Sequence, residues 1–170
     1  MRGSINERYE YQQYIIDQLK NDGYLERDAD DFDRLHAMDP ELLLKFLKAT
    51  QPKEFASLKK MYGDDLPDFI VNSVNKAATD KNGSILDQLK HGIDIANHHL
   101  TLFYNKPATD FNPDLIKKYQ NNIFSVMQEV WATDDERVDL VLFINGIAVI
   151  SFELKSNTQH QDYRDAIMQY

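Results

Sequence analysis

The chain has 170 residues, no cysteine, and 28 acidic residues against 19 basic, giving a net charge of −9 at pH 7. That length suits a single domain with its own core. The missing cysteines exclude disulfides and thiolate metal sites, and the acidic balance argues against tight unaided binding to nucleic acid, which depends on neutralising phosphates.

In chain order, Ile5–Lys20 reads as a helix. Tyr11, Tyr14, Ile15, Gln18 and Leu19 recur at helical spacing, and Gly23 ends it. Asp39 and Pro40 open a second helix as N-cap and first-turn residue, continued by Leu42, Leu43, Phe46 and Leu47. Pro52 opens a third, to about Met61, and Leu66–Ala77 is a fourth, broken by Asn82–Gly83. Ser84–Lys90 is a short helix or turn. Gly92–Ala96 and Leu100–Tyr104 are short strand candidates around a turn at Asn97–His99. Pro113–Tyr119 is a helix capped by Asn112, and Ile123–Val130 has the apolar content of a strand. Val138–Ile144 and Ile147–Lys155 are the strongest strand candidates. The Asn145–Gly146 between them is a strong short-range hairpin signal. Asp162–Tyr170 begins a closing helix. Helices, then a mainly antiparallel sheet, then a helix make the class α+β. No apolar run reaches the roughly 18 residues of a membrane span, and the polar start MRGSINERYEYQQ lacks the core of a secretory signal. The expectation is a cytoplasmic chain with no membrane partner.

The chemistry concentrates in the last hairpin. The segment IAVISFELK begins apolar on both faces, as in a central strand, and ends with Glu153 and Lys155. Residues two apart on a strand share a face, so this carboxylate and ammonium are neighbours by construction. Asp139 interrupts the preceding apolar run, and a charge there is costly unless it is paired or metal-bound. Asp139 and Glu153 offer hard oxygen ligands suited to Mg²⁺ or Mn²⁺, with the backbone C=O of Leu154 completing the set. In such a site a metal activates water and stabilises charge on a scissile phosphate. Lys155 orients the attacking water or meets the developing charge.

One geometrical condition follows. With a two-residue turn at Asn145–Gly146, Ile144 faces Ile147 and Asp139 faces Phe152. Asp139 and Glu153 then fall on opposite faces. A bulge, a longer loop or a twisted strand end near Asp139 or in the turn is needed to bring them together.

The pair Asp139 and Glu153-Leu154-Lys155 is similar to the PD-(D/E)xK nuclease signature, without the Pro before the Asp. The run DLVLFINGIAVISFELK resembles the N-terminal nuclease domain of type I restriction enzyme R subunits. So do Ala49-Thr50-Gln51-Pro52, Asn82–Gly92, Tyr119-Gln120-Asn121-Asn122 and Asp165-Ala166-Ile167-Met168-Gln169-Tyr170, in the right order over nearly the whole chain. The resemblance implies a restriction-endonuclease-like core, a mixed and mainly antiparallel sheet flanked by helices. It implies that residues 1–170 are one endonuclease domain of a longer R subunit. That subunit adds an ATP-driven translocase and works with methyltransferase and specificity subunits on double-stranded DNA. It also implies that Gln169 is the Gln of a downstream helix that positions Lys155 and DNA, whose usual Tyr partner would fall beyond Tyr170. Glu10 stands where related nucleases often carry an acid near the metal, with Glu7 and Asp17 as competitors. The chain contains no G-x-x-x-x-G-K-[ST], so ATP belongs to the full-length subunit.

Plainer readings stand beside these. Asp139, Glu153 and Lys155 also suit a structural ion pair at a sheet edge, and Gln169 and Glu10 suit ordinary helix surface. His98 and His99 are adjacent on a strand, so they face opposite ways and make poor co-ligands. Asp28–Asp33 reads as a solvated acidic loop. The Tyr and Phe residues read as packing groups, since no basic residues interleave with them. Asn82-Gly83-Ser84 reads as a turn with a helix cap. The competing function is a non-catalytic docking module; a self-sufficient repair-type nuclease fits the acidic charge less well.

Overall fold

Helix punctuation in the sequence sets most of the architecture. A computed structural model describes residues 3–81 and 83–154, with backbone alone for residues 3–8. Six α-helices lie in this range: α1 (Gly3–Asn21), α2 (Pro40–Thr50), α3 (Pro52–Tyr62), α4 (Leu66–Thr79), α5 (Ile85–His91) and α6 (Pro113–Gln120). Asp39 caps α2 by accepting from the Leu42 N–H at 3.1 Å, Ser84 caps α5 through the Asp87 N–H, and Asn112 caps α6 through the Leu115 N–H. Lys155, Gln169 and the closing helix expected over Asp162–Tyr170 lie outside the described residues, as does Asn82.

The main sheet has the order β1-β4-β5-β6, formed by β1 (Leu25–Arg27), β4 (Phe124–Trp131), β5 (Arg137–Ile144) and β6 (Ile147–Phe152). β1 runs parallel to β4, while β4, β5 and β6 pair antiparallel. The sheet is therefore mixed and mostly antiparallel, and the fold is α+β, compatible with a restriction-endonuclease-like core. A separate hairpin joins β2 (Ile93–Ile95) and β3 (His98–Leu100).

Three apolar clusters hold these layers, two of them packed by α-helices. The larger gathers Leu43, Phe46 and Leu47 of α2, Leu58 of α3, Ile70 and Val74 of α4, and Leu100 and Leu102, all fully buried. The smaller lies under α1, where Ile16 packs with Val126, Leu140 and Leu142. The opposite face of the sheet buries Met127, Val130, Val141 and Phe143.

Several expectations are corrected. The inward stripe of α1 is Gln12, Ile15, Ile16 and Leu19, whereas Tyr11 and Tyr14 are more than half exposed and Gln18 is exposed. The apolar bulk of tyrosine suggested burial, but its hydroxyl lets it sit at the surface while a buried glutamine takes the inner position. Phe111 and Trp131 are exposed as well. The turn of the small hairpin is Ala96–Asn97, with Ala96 at φ 52°, so His98 and His99 belong to β3. Only Leu100 of the expected Leu100–Tyr104 strand pairs. Among the described residues β6 is an edge strand, with Ile150, Ser151 and Phe152 exposed, and β5 is the buried central one. β1 was not foreseen, because three residues reading Leu-Glu-Arg carry no periodicity. The acidic run is partly built into structure: Asp28 caps a short 3₁₀ turn, Asp31 lies 3.2 Å from Arg27, and Asp33 lies 2.6 Å from His36 Nδ1.

The Asn145–Gly146 turn joins β5 and β6 with φ of 51° and 80°, the doubly left-handed geometry that matches strand twist. Asn145 does more than turn the chain. Its Oδ1 accepts from the Ile123 N–H at 2.6 Å, and its Nδ2 donates to the Leu102 carbonyl at 2.8 Å and to Asn122 Oδ1 at 3.1 Å. Gly146 presses on α2: a Cβ there would stand 2.3 Å from the Asp39 carbonyl oxygen.

Candidate active site

The hairpin begins in the expected register, with Ile144 opposite Ile147 and Phe143 opposite Ala148. It then shifts, so that Leu142 faces Ile150 and Leu140 faces Phe152. Val149 is the extra residue, a bulge that advances β6 by one position. Continued one step past the last pair, this register would bring Glu153 level with Asp139. The Leu154 N–H donates to Asp139 Oδ2 at 2.5 Å. A hairpin irregularity thus exists, but at Val149 in mid-hairpin, neither beside Asp139 nor in the turn where it was expected.

A second irregularity lies at the same level on β4. Its register with β5 runs through Gln128↔Leu140 and resumes at Val130↔Val138. Glu129 sits between them at φ 56°, left-handed for a side-chain-bearing residue. Met127 and Val130, three apart, lie in one buried cluster, and Val138 and Val141 share that cluster. Regular alternation forbids both, since an odd step changes face. Both strands therefore change face at the level of Glu129 and Asp139. Left-handed geometry costs such a residue on the order of 1–2 kcal/mol and persists only where the surroundings enforce it. The Glu129 carboxylate lies 2.7 Å from Arg137 Nη2, whose guanidinium stands 5.5 Å from the centre of the Trp131 ring.

Asp139 is 3 % exposed, while Glu153 is exposed and Leu154 half-buried. The acid pair thus has one carboxylate anchored in the sheet and one facing solvent. From α1, Gln12 reaches the same point: its Nε2 donates to the Asp139 carbonyl at 3.2 Å and to Gln128 Oε1 at 3.4 Å. Gln128 in turn donates to Glu26 Oε1, and Glu26 is bonded to Lys20. Glu26 holds the Lys20 ammonium pKa above its usual value, mainly through that hydrogen bond. An open cleft of ≈ 670 Å³ runs along this side, lined by Lys20, Tyr24, Glu26, Arg27 and Gln128 among others.

Glu10 is not among the groups gathered here. It is exposed, and a two-residue helical step, about 200°, separates it from Gln12. Sequence reasoning missed Gln12, because a glutamine next to exposed tyrosines gives no apolar signal. Its place four residues before Ile16 was the available clue. His98 and His99 form no site: His99 Nδ1 lies 2.8 Å from Asp94. Among the described residues no group of three or more His, Asp or Glu side chains is placed to hold a metal ion. Any cation at the hairpin would take two carboxylates and a carbonyl, with water completing its shell. That donor set is all oxygen and suits Mg²⁺, which keeps several waters when protein-bound.

The fold is of the α+β class, compatible with a restriction-endonuclease-like core. The chain belongs to the family described as type I restriction enzyme R protein N terminus, which matches residues 4–170. No curated protein and no solved structure gives a significant match. No helix among the described residues is long and apolar enough to cross a membrane.

Proposed function

We infer that residues 1–170 are an endonuclease domain that hydrolyses phosphodiester bonds of double-stranded DNA within an ATP-dependent type I restriction complex. The observation that carries this reading is the bulged hairpin, whose register, continued one step, would bring Glu153 level with a buried Asp139, and which ties the Asp139 carboxylate to the Leu154 N–H.

Asp139 and Glu153 would hold Mg²⁺ or Mn²⁺, with the Leu154 carbonyl as a third oxygen. Once bound, the ion lowers the pKa of a bound water and neutralises charge on the phosphate. The chain's own work is orientation. The Leu154 N–H fixes the plane of the Asp139 carboxylate, and burial keeps that carboxylate in one position. Glu153, open to solvent, admits the DNA backbone. Lys155, next in the chain after Leu154, supplies the cation that meets charge developing on the phosphate, and Gln169 helps to position it. The acidic surface means that grip on DNA comes from elsewhere: the motor domains of the full-length chain, where ATP is used, and the methyltransferase and specificity subunits.

Calorimetric titration with Mn²⁺ tests this on the wild-type chain and on Asp139→Ala, Glu153→Ala and Lys155→Ala. Binding lost in both acid variants and kept in Lys155→Ala is the expected pattern. Undiminished binding in both acid variants would remove the site, and no binding by the wild type would favour a docking role.

A further inference from the structure

Gln12 is the most deeply buried polar side chain among the described residues of α1, 1 % exposed, on the helix face that covers the sheet. Its amide nitrogen serves two acceptors, the Asp139 carbonyl and Gln128 Oε1, across sequence separations of 127 and 116 residues. Its Oε1 is buried and has no hydrogen-bond partner among the described residues. Such an oxygen is unfavourable, because it has given up water for nothing. A methionine or leucine would fill the same space beside Ile16 and extend the apolar cluster without that loss. Packing therefore does not explain an amide at position 12.

The contact with Asp139 does. β5 changes face at this residue, opposite the left-handed Glu129, so local strand geometry alone does not fix the direction of the carboxylate. An N–H donor arriving from a different layer pins the main chain at this irregularity. We propose that Gln12 is a positioning residue, holding Asp139 through its backbone so that its carboxylate stays aligned with Glu153 for metal binding. This deepens, and rests on, the nuclease reading above. Gln12 touches neither phosphate nor reacting water; it acts through Asp139. Groups in that supporting position typically change metal affinity by about 10- to 100-fold when removed.

The test compares Mn²⁺ affinity of the wild-type chain, Gln12→Met and Asp139→Asn by calorimetry, well below the melting temperature of each, with folding checked by circular dichroism. Methionine keeps the length and helix preference of glutamine and removes both its donor and its acceptor. The expected result is a Kd raised about 10-fold or more in folded Gln12→Met, at unchanged stoichiometry. A merely structural residue would lower the melting temperature and leave the Kd unmoved, and that outcome overturns the proposal. Affinity kept in Gln12→Met but lost in Asp139→Asn would sink this inference alone. A wild type that binds no Mn²⁺, or an Asp139→Asn that binds as well as wild type, would sink the nuclease reading and this inference with it. If Gln12→Met fails to fold, the wild-type chain decides by nitrogen-15 NMR under Mg²⁺ titration. The Gln12 side-chain amide signals shift in step with saturation if the clamp is coupled to the ion; signals that stay still through saturation refute it.

Discussion

The two helix-packed apolar cores are built to different specifications. The core between α2, α3, α4 and the β2–β3 hairpin buries a continuous set of leucine, isoleucine, valine and phenylalanine side chains. The core under α1 has four buried apolar residues at its centre and, beside them, the buried polar pair Gln12 and Asp139. The polar side chains buried beside that larger core, Asp39, Thr50, Gln51 and Asn145, all have hydrogen-bond partners. The region around Asp139 differs: it holds a left-handed glutamate and an amide oxygen with no hydrogen-bond partner among the described residues. Two irregularities flank Asp139 in the sheet: Glu129 beside it on β4, and the Val149 bulge further along β6.

Substitutions in the two regions should therefore separate stability from metal binding. The largest stability effect is expected from Phe46→Ala, where a fully buried ring leaves a cavity costing about 3–5 kcal/mol. Urea denaturation should register it, while Mn²⁺ affinity of the folded fraction stays as in wild type. Asp139→Asn should do the reverse. Mn²⁺ affinity is expected to fall by at least about 100-fold, the upper end for loss of groups that merely support a metal, with little change in the urea midpoint. Asn145→Ala sits between the regions. It removes three hydrogen bonds and a side chain suited to the left-handed turn, and is expected to cost about 3 kcal/mol by urea denaturation. Glu153→Gln should weaken Mn²⁺ binding less than Asp139→Asn, because an exposed carboxylate is not held in one position.

The smallest effect is a pH dependence remote from the acid pair. His36 contacts Asp33 at 2.6 Å and Asn72 at 3.1 Å. Its pKa is raised above the ordinary histidine value, chiefly by the hydrogen bond to Asp33, against the opposing effect of burial. A raised folded-state pKa means that the stabilisation is fully present below the unfolded value of about 6.5 and fades as pH rises through the folded value. The urea midpoint should decline over that window in the wild type. His36→Gln should flatten the slope; a slope that survives in this variant would assign the pH dependence to another group.

The sequence made the helices legible wherever a cap and a proline coincide, as at Asp39–Pro40 and Asn112–Pro113. The last hairpin was legible from Asn145–Gly146 and the apolar runs beside it. The acid pair was readable as residue types, and the need for a bulge followed from counting residues between Asp139 and Glu153. What could not be read was the position of the bulge: Val149 is one β-branched residue among several, and only packing decides which is displaced. Gln12 was illegible because its role depends on a strand 127 residues away. β1 was illegible because its pairing is parallel and only three residues long. Lys155 and Gln169 remain assignments by resemblance.

That separation of 127 residues also dictates timing during synthesis. At roughly 5–20 residues per second, α1 leaves the ribosome on the order of ten seconds before β5 exists to receive it. Most helical stability in proteins comes from packing an amphipathic face against the rest of the fold. Ile16 and Gln12 therefore wait exposed while the helical core, whose contacts are mostly nearer in sequence, can assemble first. The acid pair is brought together when the β5–β6 hairpin closes, among the last events for the described chain. The newborn protein thus does not bring Asp139 and Leu154 together until nearly all of the described region has been translated.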